Sequence, residues 1–337
     1  MDLRGHVPRI KLIPTSAPSI CMLFLFEYAS CTGDELPPEV AVEGRAMYLT
    51  LHRSFTRRAE VASFSASPEP PLAGLERPES WRHAFAEAAE RCESALIIAP
   101  ESDGILLELT RVVERSGALN LGSSASAVAV AGDKYRCYRA LRGLPQPETE
   151  VFRGRCSLDL PVVAKPRWGE GGTRVVVTSE EELEQVPRGW VVQELVEGKP
   201  MSASLLVGDE VRVLSLNTQR FSGTSYAGGD VVGDEVPEEV VAAAERIKGL
   251  FGYVGVDFIL GEEVSIVEVN PRVTTMVAGL ERALDAELGE VLLKNATSER
   301  LPELEVRRRV GVRKLRGTCP EAVAAYGGYC IAVEVLG

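Results

Sequence analysis

The hydrophobic positions of the chain switch repeatedly between two periods. From Met22 an apolar run, MLFLFEYA, gives way to a helical pattern around 39–55, a short strand near Val61, a second helical pattern around 81–91 and the apolar run SALIIAP. Ile105, Leu106, Leu109 and Val112 then recur at helical spacing and predict an amphipathic helix over 102–115. Strand and helix in turn imply an open, largely parallel α/β sheet over 22–118. The helix carrying Lys134 is expected to end near Gly143, where Pro145 and Pro147 enforce an extended connection. Strands follow at PVVAKP, TRVVVT and GWVVQELV, with the glycine-rich WGEGGT between the first two. Next come ASLLVG, EVRVLSLN, a helix over 237–251, a strongly apolar hairpin and a helix from about Ala278 to Leu293. RRRVGVRKLRG and GGYCIAVEVLG read as further strands without an assigned place. The pattern divides the chain into a tail (1–21), an α/β domain (22–118), a first lobe (119–198), a second lobe (199–300) and C-terminal strands (301–337).

The hairpin GVDFILGEEVSIVEVNPR carries acids where an apolar strand pair needs none. Val254, Val256, Phe258 and Leu260 share one face of its first strand, and Gly255, Asp257 and Ile259 share the other. With Glu262 and Glu263 as the loop, Asp257 faces Glu268 and Gly255 faces Asn270. Opposed side chains lie about 5 Å apart at Cβ, where two carboxylates repel unless a cation lies between them. Glu268 and Asn270 share a face, so three oxygen-bearing side chains converge beside Ile259 and Ile266. Hard oxygen donors suit magnesium, with manganese as the alternative ion. For any lone pairing of two acids, an exposed pair on a solvated sheet face is the commoner reading, and the rest of the chain must decide.

Composition narrows the classes. At 337 residues, with 45% hydrophobic and 26% charged, the chain is globular in usage and long enough for two or three domains or lobes. It holds no tract of about twenty apolar residues for a membrane span. A net charge of −12 argues against a nucleic-acid partner; Arg307, Arg308 and Arg309 form the basic run and read as a solvated strand edge. Cys21, Cys31, Cys92, Cys137, Cys156, Cys319 and Cys330 form no CxxC pair, and their odd number suggests no complete disulfide framework, which fits a reducing cytoplasm. His6, His52 and His83 are scattered, without zinc-protease spacing. MLFLF is too short for a signal core, and the preceding residues, broken by Pro8, Pro14 and Pro18, read as a tail, with Met22 the expected start.

Gly169, Gly171 and Gly172 surround Glu170 between two strands, where glycines let backbone N–H groups approach phosphate closely. Neither familiar phosphate motif is complete: Arg174 stands at the last glycine of a GxGxxG, and Gly198-Lys199 is followed by Pro200. The order of features is more specific than any one of them. A lysine on a helix, a lysine ending a strand before a glycine-rich loop, QELVEG, and then an acid eleven residues before ExNPR together resemble the ATP-grasp superfamily over 120–293.

Region 22–118 resembles the α/β domain that precedes that fold. The resemblance implies a mixed α/β and α+β architecture with ATP held between two lobes. It implies that Lys134 and Lys165 contact phosphates and that Gly169, Glu170, Gly171 and Gly172 form a mobile loop closing over them. Gln193, Glu194, Leu195 and Val196 would pair with adenine, and Glu197 would meet the ribose hydroxyls. Asp257, Glu268 and Asn270 would hold the metal, and Arg272, with Lys165, would act on the transferred phosphoryl group. An ordinary exposed helix lysine at 134 and a turn residue at 197 are the plainer readings of those two.

Within the superfamily, LFLFEYASCTG, VEGRAMYLTLHRSF and NPRVTTMVAGL resemble the ligases that join L-glutamate to tyramine in methanofuran biosynthesis. This implies phosphorylation of the γ-carboxylate by ATP and capture by the amine, with ATP, L-glutamate and tyramine as partners, no nucleic acid or membrane, and a homodimer left open. A ligase for another amino acid and amine is the alternative. A second alternative, an ATP-binding regulatory module without turnover, is disfavoured by the complete acid set and both lysines. No motif marks the acceptor pocket. Glu27 is a candidate amine contact, and Arg220 and Tyr226 in NTQRFSGTSYAGG lie toward the acceptor side, where a plain surface loop is an equal reading.

Overall fold

Leu23, Phe24, Leu25 and Phe26 are fully buried in succession, which requires a strand covered on both faces. In the computed structural model, which describes residues 22–34, 36–65, 75–169 and 174–337, they form β1 (Met22–Glu27). The expectations for the tail over 1–21 and for Glu170, Gly171 and Gly172 lie outside the described residues. Helices α1 (Tyr28–Cys31) and α2 (Pro38–Phe55), strand β2 (Glu60–Ala62), helix α3 (Trp81–Arg91), strand β3 (Ser94–Ile98), helix α4 (Ile105–Ser116) and strand β4 (Leu119–Asn120) complete the first domain. Its sheet runs β2-β1-β3-β4 and is wholly parallel, as the alternation predicts.

Helices α5 (Ala125–Ala131) and α6 (Lys134–Ala140) lead to the first lobe, whose strands are β5 (Thr149–Val151), β6 (Val162–Lys165), β7 (Val175–Val177) and, after helix α7 (Glu180–Glu184), β8 (Val191–Glu194). They form an antiparallel sheet, β5-β8-β6-β7, over a small core of its own that includes Phe152, Val162, Ala164, Val177 and Val192.

The second lobe is larger. Its elements are β9 (Lys199–Val207), β10 (Val211–Thr218), β11 (Arg220–Ser222), β12 (Ser225–Gly233), α8 (Glu238–Arg246), β13 (Gly252–Leu260), β14 (Val264–Asn270), α9 (Val277–Leu284) and α10 (Leu288–Ala296). The C-terminal strands β15 (Val310–Arg316), β16 (Ala322–Tyr326) and β17 (Tyr329–Val335), unplaced by pattern alone, extend this same sheet because β15 pairs with β12. Among the described residues the order is β14-β13-β9-β10-β12-β15-β17-β16, with β11 on β12. Cys319 and Cys330, with Cα atoms 6.2 Å apart, are joined as a disulfide at its far end. The expected single helix from Ala278 is two: Asp285, in the left-handed region at φ 55°, breaks it. The helix expected over 237–251 stops at Arg246. Among the described residues no helix is long and apolar enough to cross a membrane.

The main core does not respect the domain boundary. Phe24, Phe26, Ile98 and Leu121 of the first domain share one buried cluster with Leu206, Tyr253, Val277 and Leu280 of the second lobe. Helix α2 sits between them, and one glycine sets its height over β1. A Cβ on Gly44 would lie 2.3 Å from Glu27 Oε1. Glu27 cannot swing aside, since its buried carboxylate caps α1 by accepting hydrogen bonds from the N–H groups of Ala29 (2.9 Å) and Ser30 (2.8 Å) and from Ser30 Oγ (2.6 Å). Gly44→Ala gains roughly 1 kcal/mol of helix propensity. Overpacking costs about 1–3 kcal/mol, and displacing the capping carboxylate costs about as much again. The clash outweighs the gain, so the variant is expected to lose about 1–5 kcal/mol net, seen as a lower urea midpoint at unchanged slope.

Candidate active site

The β13–β14 hairpin places Gly255 opposite Asn270 and Asp257 opposite Glu268, as the alternation predicts. It does so by an unexpected route. The connection is Gly261-Glu262-Glu263, so Leu260 pairs with Val264 and Phe258 with Ile266, and a bulge at Val267 then shifts the register by one residue. Without that extra residue Asp257 would face Val267. The bulge also corrects one expectation: Ile266 does not line the acids' face but packs in the core with Phe258 and Val256, while Val267, Glu268 and Ile259 border the cleft.

The acids open on a cavity of about 170 Å³ between the lobes, lined also by Lys134, Lys165, Gly169, Arg174, Asn270 and Arg272. Lys134 Nζ, at the first residue of α6, donates to Gly169 O (2.7 Å) and lies 3.6 Å from Glu268 Oε2. Lys165 Nζ, at the end of β6, donates to Gln193 Oε1 (2.7 Å), whose amide in turn donates to Thr149 Oγ1 (2.9 Å). Asp257 accepts from Gln219 Nε2 (2.9 Å) and Asn270 Nδ2 (3.2 Å).

Each ionisable group responds to this crowding. Burial, then the charge of Glu268 opposite, pushes the Asp257 carboxyl up. Burial pushes Glu268 the same way, but Lys134 and Lys165 outweigh it and hold Glu268 below the usual carboxylate range. Burial draws the Lys165 ammonium down to about 8 against the pull of Glu268. It also lowers Arg174, which faces the same two acids and stacks over the Phe221 ring at 4.1 Å. A partly buried, cation-ringed pair of acids facing an open cavity is built to receive charge, not to pack.

Other expected residues are placed differently. The Arg272 guanidinium is clamped two-pronged by Glu101 of the first domain, at 2.8 and 2.9 Å. Glu194 Oε2 accepts from Glu148 N (3.4 Å), and Leu195, Val196 and Glu197 form the link between the lobes, outside the lining of this cavity. Glu27 is no amine contact, since its carboxylate is buried and spent on capping α1. Arg220 pairs with Asp230 (2.6 Å), whereas Tyr226 does line the cavity. Sequence reasoning missed Glu43, Glu101, Arg174 and Gln219. Only Arg174 carried a signal, as the residue that spoils a glycine motif immediately after the loop.

Comparison with known proteins accords with this geometry. The chain matches the ATP-grasp domain model over 131–276 and the pre ATP-grasp 3 domain model over 66–128. A tyramine–L-glutamate ligase from Methanocaldococcus fervens is 34% identical over 297 residues, covering 83% of this chain and 96% of that protein. One from Methanocaldococcus jannaschii is 29% identical over 309 residues, covering 86% and 94%. The crystal structure of an ATP-grasp superfamily protein from Archaeoglobus fulgidus superposes with a TM-score of 0.79 at 32% identity, over 94% of this chain and 99% of that one. With a cleft between two lobes, two lysines facing two acids across it, and relatives matched along almost their whole length, this chain belongs to the ATP-grasp family.

Proposed function

We propose that the protein is an ATP-dependent, ADP-forming carboxylate–amine ligase that joins the γ-carboxylate of L-glutamate to the amine of tyramine. The observation that carries the chemistry is the convergence of Asp257 and Glu268 with Lys134, Lys165 and Arg174 in one buried cleft. The near full-length likeness to tyramine–L-glutamate ligases supports the choice of acid and amine.

The donor set suits a hard divalent cation. Two facing carboxylates with the Asn270 side chain beside them offer oxygen, and among the described residues no third His, Cys, Asp or Glu joins them. Magnesium, or manganese, held by Asp257, Glu268 and Asn270 would neutralise phosphate oxygens. Lys165, at the end of β6, and Lys134, at the start of α6, hold the phosphate chain, with Gly169 beside them. Arg272 contributes positive charge from a guanidinium already fixed by Glu101, not a free two-pronged grip. Gln193 to Val196 border the adenine, and Glu197 the ribose.

In this arrangement a γ-carboxylate oxygen bonds to the terminal phosphorus as the bond to ADP breaks. The amine nitrogen then bonds to the acyl carbon, phosphate leaves with that oxygen, and the nitrogen sheds a proton. The ring of cations holds the developing charge in place, where positioning supplies most of the acceleration.

Asp257→Asn and Glu268→Gln are each expected to cut ADP release by roughly 100-fold or more while melting like the wild type. Normal rates in either variant would remove the metal assignment. Lys165→Met separates function from stability. In the unliganded fold Lys165 titrates near 8 rather than 10.5, so between these values the unfolded chain binds the extra proton and stability rises with pH; below 8 the full penalty applies. The variant should lose ATP turnover yet gain at most about 3 kcal/mol of ligand-free stability at pH 7, and lose that rise between 8 and 10.5. Among amines, tyramine should give the fastest ADP release, with phenethylamine slower by several powers of ten because a site built for the phenol is left with an unpaired polar group. Carboxylate oxygen label should appear in phosphate, and its appearance in AMP would overturn the acyl-phosphate route.

A further inference from the structure

The cavity holding the acids ends against the first domain. Glu43, from α2, lines that end together with Thr275, Met276, Tyr226 and Phe221. Its Oε2 accepts from Thr275 Oγ1 (2.6 Å) and its Oε1 from Lys314 Nζ (2.6 Å). Lys314 also donates to Glu39 O (3.3 Å) and does not line the cavity, so it supports Glu43 from behind. A carboxylate offers about four acceptor sites, and two donors leave capacity on the cavity side.

Phe221 and Tyr226 also line the cavity and meet edge to face with ring centroids 6.2 Å apart; Arg174 already lies over the Phe221 ring at 4.1 Å and Lys314 Nζ stands 6.0 Å from the Tyr226 ring, so the carboxylate and not the rings is the group left with free capacity. The Tyr226 hydroxyl has Met276 Sδ as its acceptor at 3.2 Å, a weak partner for a phenol in this enclosed position. Glu43, Tyr226, Asp257 and Glu268 line the same cavity.

We infer that Glu43 receives the primary ammonium group of a substrate. The inference rests on the ligase reading above. Two substrates of that reaction carry such a group, the amine acceptor and the α-ammonium of the amino acid, and the kinetics separate them.

The test uses Glu43→Gln and Lys314→Met in the full-length protein with magnesium and ATP, following ADP release and amide mass. Glu43→Gln should raise the KM of one ammonium-bearing substrate by roughly 10- to 100-fold, the worth of a hydrogen bond to a charged group. The KM for ATP should stay within about twofold. A rise for tyramine assigns the acceptor amine, and a rise for L-glutamate assigns the amino acid. Lys314→Met breaks the ion pair but keeps the carboxylate, so it should not raise that KM. An unchanged KM in Glu43→Gln, an equal rise for ATP, or the same defect in Lys314→Met would overturn the inference. Should the wild type ligate neither substrate, the ligase reading fails by itself. The inference is then read from melting shifts given by tyramine, phenethylamine and L-glutamate with ATP present: a shift lost in Glu43→Gln retains it, and no shift with any of them in the wild type removes it.

Discussion

Two carboxylates held face to face set the terms for the rest of the molecule. At about 5 Å and an effective dielectric near 20, two unit charges repel by about 3 kcal/mol, before either is charged for leaving water. Asp257 and Glu268 are kept in this position by a backbone bulge and are offset from across the cleft by Lys134 and Lys165. The acids belong to the second lobe and Lys165 to the first, while Lys134 opens α6, whose Cys137 packs in the second lobe's core, so the attraction between Lys165 and Glu268 is the one that acts between the lobes.

The two sides of the cleft are anchored unequally. The second lobe shares a continuous apolar core with the first domain, through Tyr253, Val277 and Leu280 packed with Phe24, Phe26 and Ile98. The first lobe has a separate core built on short strands, and the link from Leu195 to Gly198 joins it to β9. The acid-bearing side is therefore the more firmly anchored one, and relative motion has its softest path at the lobe carrying Lys165.

What the sequence made legible follows from what periodicity encodes. The assumed two-residue turn at Glu262 and Glu263 placed Asp257 and Glu268 opposite each other; the real turn is one residue longer, and the bulge at Val267 restores the same pairing. The same argument missed the bulge at Val267, because valine suits either face of a strand, and so it assigned Ile266 to the wrong side. The break at Asp285 was hidden for a similar reason: aspartate tolerates the left-handed region without announcing it as glycine would. Glu43 and Glu101 were invisible because each meets its partner across more than a hundred residues of chain, and a lone acid on a helix or in a loop ordinarily reads as solvated surface. Glu27 failed in the opposite sense. It was a candidate amine contact, while its physical task is to cap α1.

The loop from Pro271 to Met276 shows why the first domain is more than a neighbour. Arg272 is clamped by Glu101, Thr275 donates to Glu43, Tyr253 Oη and Thr274 Oγ1 meet at 2.9 Å, and Met276 receives the Tyr226 hydroxyl. Thr274 can lie this low because Gly255 has no side chain; a Cβ there would stand 2.6 Å from its methyl group. Two of the four tethers are carboxylates of the first domain, so the loop that follows β14 takes its shape from residues outside either lobe of the cleft. Such a loop can hold its geometry only while the shared core keeps α2 and the β3 end in register with β14. The first domain thus acts on the chemistry twice: through Glu101 it fixes where Arg272 points, and through Glu43 it closes the far end of the cavity.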